Sequence, residues 1–348
     1  MAKVVLQVNE LTTRYITRFR ENVYAVDHVS LKVEEGKSLG LTAFAQVNVT
    51  PKGDVIAITI DGKPYSELYM AGPKTYLHPL RSASGKIVSR MYPMAKREGE
   101  ITDHPHHRGL WYGHGDVNGY DFWSSDPLNK DPKGKAGVEK LLKILGTKSG
   151  KNAGSLRILL AWNDPHGKTL VEETREMVFR KEGQSIVIDT DLHLKAITDV
   201  KFGDTKEGTF AMRTAPEFEL PGNKRAPAFP VRSGRMINSE GVEGKAVWGK
   251  RARWVDYSAT VDGEKLGIAM FDKPANPRYP TYCHARDYGL FGINPFGVHD
   301  FLNDKTKDGS MTLKPGETTR FRYRIVIHPG DEKDAKVQAL FDAYARGK

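Results

Sequence analysis

Over most of its length the chain alternates apolar and polar residues with the two-residue period of strands that bury one face. The alternation predicts strands at Val4–Val8 and Val26–Val33, then at Val55–Ile60, which runs into the hairpin signal Asp61-Gly62. Tyr65–Met70, Ile87–Met91, Leu156–Trp162, Thr169–Phe179 and Ile186–Leu194 follow in the same style. Later come Arg253–Val261, the turn Asp262-Gly263, Leu266–Phe271 and Thr318–Ile327, where Phe321–His328 has the polar-out pattern of a sheet with one solvated face. Helical spacing is confined to the end: in Asp331–Ala345 the side chains of Ala335, Val337, Leu340, Phe341 and Tyr344 share one side, and Asp331 or Asp334 can serve the N-terminus. Many short strands between turn signals predict an all-β fold, a large two-layer β-sandwich with a C-terminal helix. There is no internal repeat and no low-complexity segment.

Two stretches break the alternation. Residues 103–123 hold four of the eleven histidines, His104, His106, His107 and His114, set among Asp103, Arg108, Trp111, Asp116, Asn118, Asp121, Trp123 and several glycines. Pro105 and the glycines interrupt both the helical and the strand period, so the expectation is a long loop or a series of bends, better suited to a pocket than to a core. Residues 278–301 repeat the chemistry with Tyr282, His284, Arg286, Asp287, Asn294, His299 and Asp300. If that part is extended, His284 and Arg286 share a face and Asp287 takes the other. A third, aromatic and basic segment, Trp248–Trp254, carries Lys250. Glu217 and Glu240 are isolated carboxylates and rank below the histidines.

Composition narrows the classes. The formal charge of +10 is spread along the chain without a basic block or a nucleic-acid motif, so no nucleic-acid partner is expected. No apolar run approaches the roughly 20 residues of a bilayer span. A single cysteine, Cys283, excludes an intramolecular disulfide and a cysteine-based zinc cluster, and leaves the compartment open.

Residues 1–41 resemble the start of an oligopeptide-type ABC transporter ATPase, in the run Ala25-Val-Asp-His-Val-Ser-Leu-Lys-Val33 followed by Gly36-Lys-Ser-Leu-Gly-Leu41. The phosphate-binding loop that should come next is replaced by Thr42-Ala-Phe-Ala-Gln46, so ATP hydrolysis is rejected. Ser38–Ala45 is similar to the end of a secretory signal peptide, with Ala43-Phe-Ala45 as a cleavage site. The expected organisation is therefore a leader over 1–45 and one β-sandwich domain over 46–348. Within that domain, residues 46–345 resemble the PmoA-like family. The matching motifs are His78-Pro-Leu-Arg-Ser-Ala-Ser-Gly85, Asp103-His-Pro-His-His-Arg-Gly-Leu-Trp111, Gly113-His-Gly-Asp-Val-Asn-Gly-Tyr-Asp-Phe-Trp123, Trp248-Gly-Lys-Arg-Ala-Arg-Trp254, Pro280-Thr-Tyr-Cys-His-Ala-Arg-Asp-Tyr-Gly289 and Asn294-Pro-Phe-Gly297. The resemblance implies a sandwich similar to the galactose-mutarotase-like supersandwich, exported relatives, and a carbohydrate as substrate. It also implies an aromatic residue where this chain has Cys283, whose smaller side chain would widen the pocket.

The expected activity is that of a carbohydrate-active enzyme, a glycoside hydrolase or a lyase, acting on a small-molecule or oligosaccharide substrate. His106, His107, His114 and His284 are its candidate acids and bases, with Asp116 and Asp287 as partners. Arg108, Trp111, Asn118, Asp121, Trp123, Lys250, Tyr282, Arg286, Asn294 and His299 are the candidate substrate-binding residues. Two alternatives stand beside it: a divalent metal held by His104, His106 and His107, and a non-catalytic carbohydrate-binding module.

Overall fold

Along Val55–Ile60, Ile56, Ile58 and Ile60 are buried and the residues between them are half covered, the signature of a strand with one face in a core. The same period runs through Ala153–Asn163 and Thr169–Glu182. The computed structural model describes residues 4–16, 22–35, 45–131, 133–223 and 232–347, and divides into two units, Met1–Phe44 and Ala45–Lys348. In the first, Val4–Ile16 pairs antiparallel with Asn22–Glu34. The junction with the cleavage-like Ala-x-Ala pattern falls on residues 36–44, outside the described residues.

The second unit is mostly β, built on two large antiparallel sheets. One has eight strands in the order Arg235–Asn238, Trp254–Val261, Glu264–Asp272, Thr318–Pro329, Ser185–Ala196, Thr169–Glu182, Ala153–Asn163, Val138–Lys148. The other has nine: Tyr282–Ala285, Leu290–Asn294, Gly208–Arg213, Leu110–His114, Tyr76–His78, Lys63–Tyr69, Val55–Ile60, Gln46–Lys52, Gly150–Lys151. Ile58, Leu68, Tyr112, Phe210 and Ile293 of the nine-stranded sheet share one buried cluster with Ile158, Trp162, Phe179, Leu192, Ile268 and Phe321 of the eight-stranded sheet. That shared cluster makes the pair a sandwich, as the alternation predicts.

Three expectations need correction. Ile87–Met91 is not a strand: single bridges, Arg81 to Ile87 and Ser89 to Thr214, replace a ladder, and Arg90 turns inward to serve a neighbouring loop. The C-terminal helix spans Val337–Arg346 and starts after Lys336, which has a left-handed backbone. Asp331 and Asp334 therefore stand ahead of its first turn, where Asp331 accepts the backbone N–H groups of Lys333 and Asp334 and both carboxylates meet Lys265. Val337, Phe341 and Tyr344 of this helix cover Val187, Trp254, Phe271 and Val326 on the outer face of the eight-stranded sheet.

The third correction matters most. The glycine-rich stretch 103–123 is not all loop: Leu110–His114 is a fully buried strand inside the nine-stranded sheet. Strands covered on both faces do not alternate, so their pattern carries no two-residue signal. Leu290–Asn294, Gly208–Arg213 and Tyr282–Ala285 escaped the pattern for the same reason.

Candidate functional site

Strand parity sorts the histidines. Along Leu110–His114, Tyr112 joins the core between the sheets and Trp111 joins a separate cluster on the opposite, outer face with Tyr76, Trp123, Ala211, Tyr288 and Leu290. In Tyr282–Ala285 the core takes Cys283 and Ala285, so His284 points outward. Register then aligns His284, Gly292, Ala211, Trp111 and Tyr76 as one rung across five strands. The small residues Gly292 and Ala211 in the middle of that rung leave room for Trp123, whose indole stacks on His284 at 5.9 Å and meets Trp111 at 4.9 Å.

Over this outer face lies a cavity of about 340 Å³ lined by His104, His106, His107, Ser124, Lys206, Glu207, His284, Arg286, Tyr288 and Leu290. The two histidine-bearing stretches, more than 150 positions apart, thus meet at one opening. Tyr288, His104, His107 and Trp111 form a column of nearly parallel rings, with successive centroids 5.7, 4.8 and 5.3 Å apart. Gly109 joins this loop to its strand at φ 51, where a Cβ would collide with the Leu77 carbonyl.

Buried cations hold the loop from beneath. Arg90 donates to the carbonyls of Ile101, Asp103, His104 and His107 and to the Asp103 carboxylate. Arg213, fully buried, donates to Asp103 Oδ1 at 3.0 Å and to His107 Nδ1 at 3.2 Å, with its guanidinium 4.8 Å from the Tyr288 ring. Lys74 donates to the carbonyls of Trp123 and His106, and burial lowers its pKa to about 8. Burial alone would raise Asp103, but His104, Arg213 and Arg90 outweigh it and hold the carboxyl well below the usual range.

These partners set the imidazole tautomers. The Asn129 amide nitrogen lies 2.6 Å from the Ser124 carbonyl and 2.8 Å from His106 Nδ1; it donates to both, so His106 carries its proton on Nε2. Arg213 has only donors, which makes His107 Nδ1 an acceptor and leaves His107 Nε2 protonated as well. His284 is the reverse: its Nδ1 lies 3.2 Å from the Gly208 carbonyl and must donate, which leaves a lone pair on Nε2. Burial pushes His106 down to about 2, with Lys74 adding to it, and pushes His107 well below the ordinary imidazole value. His284 falls to about 4 through burial, the Glu207 carboxylate opposing and Arg286 and Lys206 adding. The cavity therefore presents two neutral N–H donors and one neutral acceptor.

Other expected site residues lie elsewhere. His114 faces the inter-sheet core, packed on Phe296 at 4.5 Å and donating Nε2–H to the Gly203 carbonyl at 2.9 Å, with burial lowering it to about 4. Asp116 and Asp121 accept turn N–H groups from Gly119, Trp123 and Ser124, beside a different depression of about 450 Å³. Asp287 pairs with Lys245 at 2.9 Å and is turned off the cavity. Arg108 is committed to Asp126 at 2.5 and 3.0 Å. Asn118 ties its turn to Asp199 and Lys201, and His299 sits between Asp204 and Asp300. Lys250 is exposed away from the cavity, and Tyr282 stacks on Phe301 at 5.0 Å. Trp111 and Trp123 underlie the histidines rather than wall the opening. Cys283 is buried in the core, so its size has no bearing on the pocket.

Asn294 acts indirectly, donating to the carbonyls of Thr205 and Lys206 and so fixing the turn that delivers Lys206 and Glu207. Those two residues, 2.9 Å apart as an ion pair, together with Ser124, Tyr288 and Leu290, are the lining residues that sequence reasoning missed. For Lys206 and Glu207 no sequence signal existed. Tyr288 lies within the second stretch, where an aromatic residue suits a core as well as a pocket.

The metal alternative does not fit. Among the described residues no three His, Cys, Asp or Glu side chains are grouped to hold an ion. His104 and His107 stack face to face at 10°, so their nitrogens lie side by side instead of converging, and the Nδ1 lone pairs of His106 and His107 are already used.

A model of a family of unknown function, DUF6807, matches residues 55–342. No curated protein matches. Among solved structures, the chain is similar to the GH36 α-galactosidase AgaA of Geobacillus stearothermophilus, with 12% identity over 82% of this chain, 41% of that one and a TM-score of 0.37. A galactose mutarotase related enzyme of Lactobacillus acidophilus is 10% identical over 81% of this chain and 97% of that one, at 0.36. A heparan sulfate lyase HepC mutant of Pedobacter heparinus is 9% identical over 82% and 37%, at 0.36. This chain spans less than half of the α-galactosidase and of the lyase, and at these scores the likeness carries no argument about activity.

Proposed function

We propose that this chain, which belongs to the DUF6807 family of unknown function, is a carbohydrate-active enzyme that moves protons on a sugar held in the cavity of His106, His107 and His284. The observation that carries the proposal is the opposition of tautomers: two Nε2–H donors and one Nε2 lone pair at one opening, each fixed by a buried partner. A sugar ring presents hydroxyl groups that both donate and accept, which is what such a set can grip from several sides. His284 is the proton acceptor, and His106 and His107 hold the oxygen on which charge develops, as neutral donors that need no proton from solvent.

The carboxylates favour one branch of the chemistry. Glycoside hydrolysis by the common route needs two carboxyl groups flanking the scissile bond, and the cavity offers Glu207 alone. Proton abstraction, as in epimerisation or elimination, can run on a single base faced by donors, the roles that the tautomers of His284, His106 and His107 support.

The test is an assay of purified wild type, His284→Ala and His107→Ala against a panel of neutral and acidic glycosides, following both new unsaturation and new reducing ends. His284→Ala is expected to lose roughly 10²- to 10⁴-fold in kcat/KM, the usual share of an acid–base group. Activity equal in all three proteins would end the proposal.

A further inference from the structure

Arg286 is the least explained charge in the cavity. Its guanidinium carbon lies 4.4 Å from the centre of the Trp248 ring, half-buried, and among the described residues no carboxylate or carbonyl accepts its N–H donors. The fork is therefore held in place by an aromatic face while its hydrogen-bonding edge stays open. Lys206 lines the same cavity, close enough that the two cations repel one another. Together they outnumber the single carboxylate of the lining, Glu207, which Lys206 already meets at 2.9 Å. With Lys206 paired to Glu207, the charge of Arg286 is the one in the lining that an anion would answer.

We infer that the sugar taken by this site carries a carboxylate, which docks on the open edge of Arg286 with Lys206 beside it. The inference rests on the sugar reading above and deepens it. A planar guanidinium with two parallel donors matches a carboxylate in bidentate geometry, where a neutral hydroxyl would use one donor and leave the positive charge unanswered. Phosphate shares the charge but not the planar two-oxygen edge.

The same anion would bear on His284. Burial is the main cause of its low value, near 4, with Glu207 opposing and Arg286 and Lys206 adding to it, so a carboxylate docked on Arg286 offsets part of the cationic contribution.

Titration calorimetry on the full chain decides it, with glucuronate, galacturonate and their disaccharides set against glucose, galactose, the matching neutral disaccharides and glucose 6-phosphate. Uronates are expected to bind about 10- to 100-fold more tightly than their neutral counterparts. Arg286→Gln should erase that preference, and Arg286→Lys, which keeps the charge without the fork, should restore only part of it. Equal binding of acidic and neutral sugars overturns the inference and leaves the sugar reading standing. Tighter binding of glucose 6-phosphate than of uronates overturns the assignment of a carboxylate. Binding of no sugar of any kind overturns the sugar reading itself, and this inference with it.

Discussion

Lowering the pH from 7 to 5 is expected to cost this fold several kcal/mol and to bring it close to unfolding. Burial pushes the imidazoles of His78, His114 and His284 down to about 4, that of His106 to about 2, and that of His107 well below the ordinary value. In the unfolded chain each titrates near 6.5. The folded values are depressed, so the stability these groups contribute is fully present above the unfolded value and is lost as pH falls toward the folded one. For a ring that settles near 4 the loss amounts to about 2 kcal/mol by pH 5, and three such rings approach the whole stability of an ordinary domain. His328 works in the opposite sense. Against burial, Asp256 at 2.8 Å raises it, so its contribution is present at low pH and lost as pH climbs through its folded value. One ring cannot offset five. Urea midpoints measured from pH 8 to 4.5 should stay level above about 7 and fall steeply below 6.5, and His114→Phe, which removes one buried imidazole, should flatten the fall. A midpoint independent of pH between 7 and 5 would mean that these rings are not buried neutral.

Arg90→Ala should cost about 3–5 kcal/mol, the penalty for removing one member of a buried, hydrogen-bonded charge cluster. It strips the donors from four loop carbonyls between Ile101 and His107 and one from the Asp103 carboxylate, and nothing else described on this face offers five hydrogen bonds to one loop. Arg90→Lys is expected to recover part of the stability, since one ammonium reaches fewer of those acceptors than a guanidinium does. Because the loop carries His104, His106 and His107, ligand affinity should fall with stability in both variants. Denaturant unfolding alongside sugar calorimetry separates the outcomes: a loss below about 1 kcal/mol in Arg90→Ala would show that the loop holds its shape without this residue.

Much of this architecture can be read from the alternation of residues. Val55–Ile60, Leu156–Trp162, Thr169–Phe179 and Ile186–Leu194 fall within strands because each has one face in the core and one toward solvent or a thin cover. The same logic fails where a strand is covered on both sides, and the site is built there. Leu110–His114 reads as loop because glycines and aromatics replace the alternation, and Leu290–Asn294 gives no strand signal for the same reason. His106, His107, His284 and Arg286 could be named in advance because their residue types are rare together. What could not be foreseen was parity: without the register, His114 was indistinguishable from its neighbours, although it points into the core. Asp116, Asp121 and Asp287 show the other limit. A carboxylate near a histidine in sequence is as apt to cap a turn or meet a surface lysine as to share a proton.

The most direct test of the account is the protonation state of His106, His107 and His284 in the cavity. Nitrogen NMR of the protein labelled at histidine, read at pH 7 through two-bond couplings to the ring protons, separates the Nδ1–H tautomer, the Nε2–H tautomer and the imidazolium. The structure predicts three neutral rings, His284 protonated on Nδ1 and His106 and His107 on Nε2. Imidazolium at any of the three positions, or one and the same tautomer in all of them, would contradict the opposed donor and acceptor set on which the proposed chemistry stands.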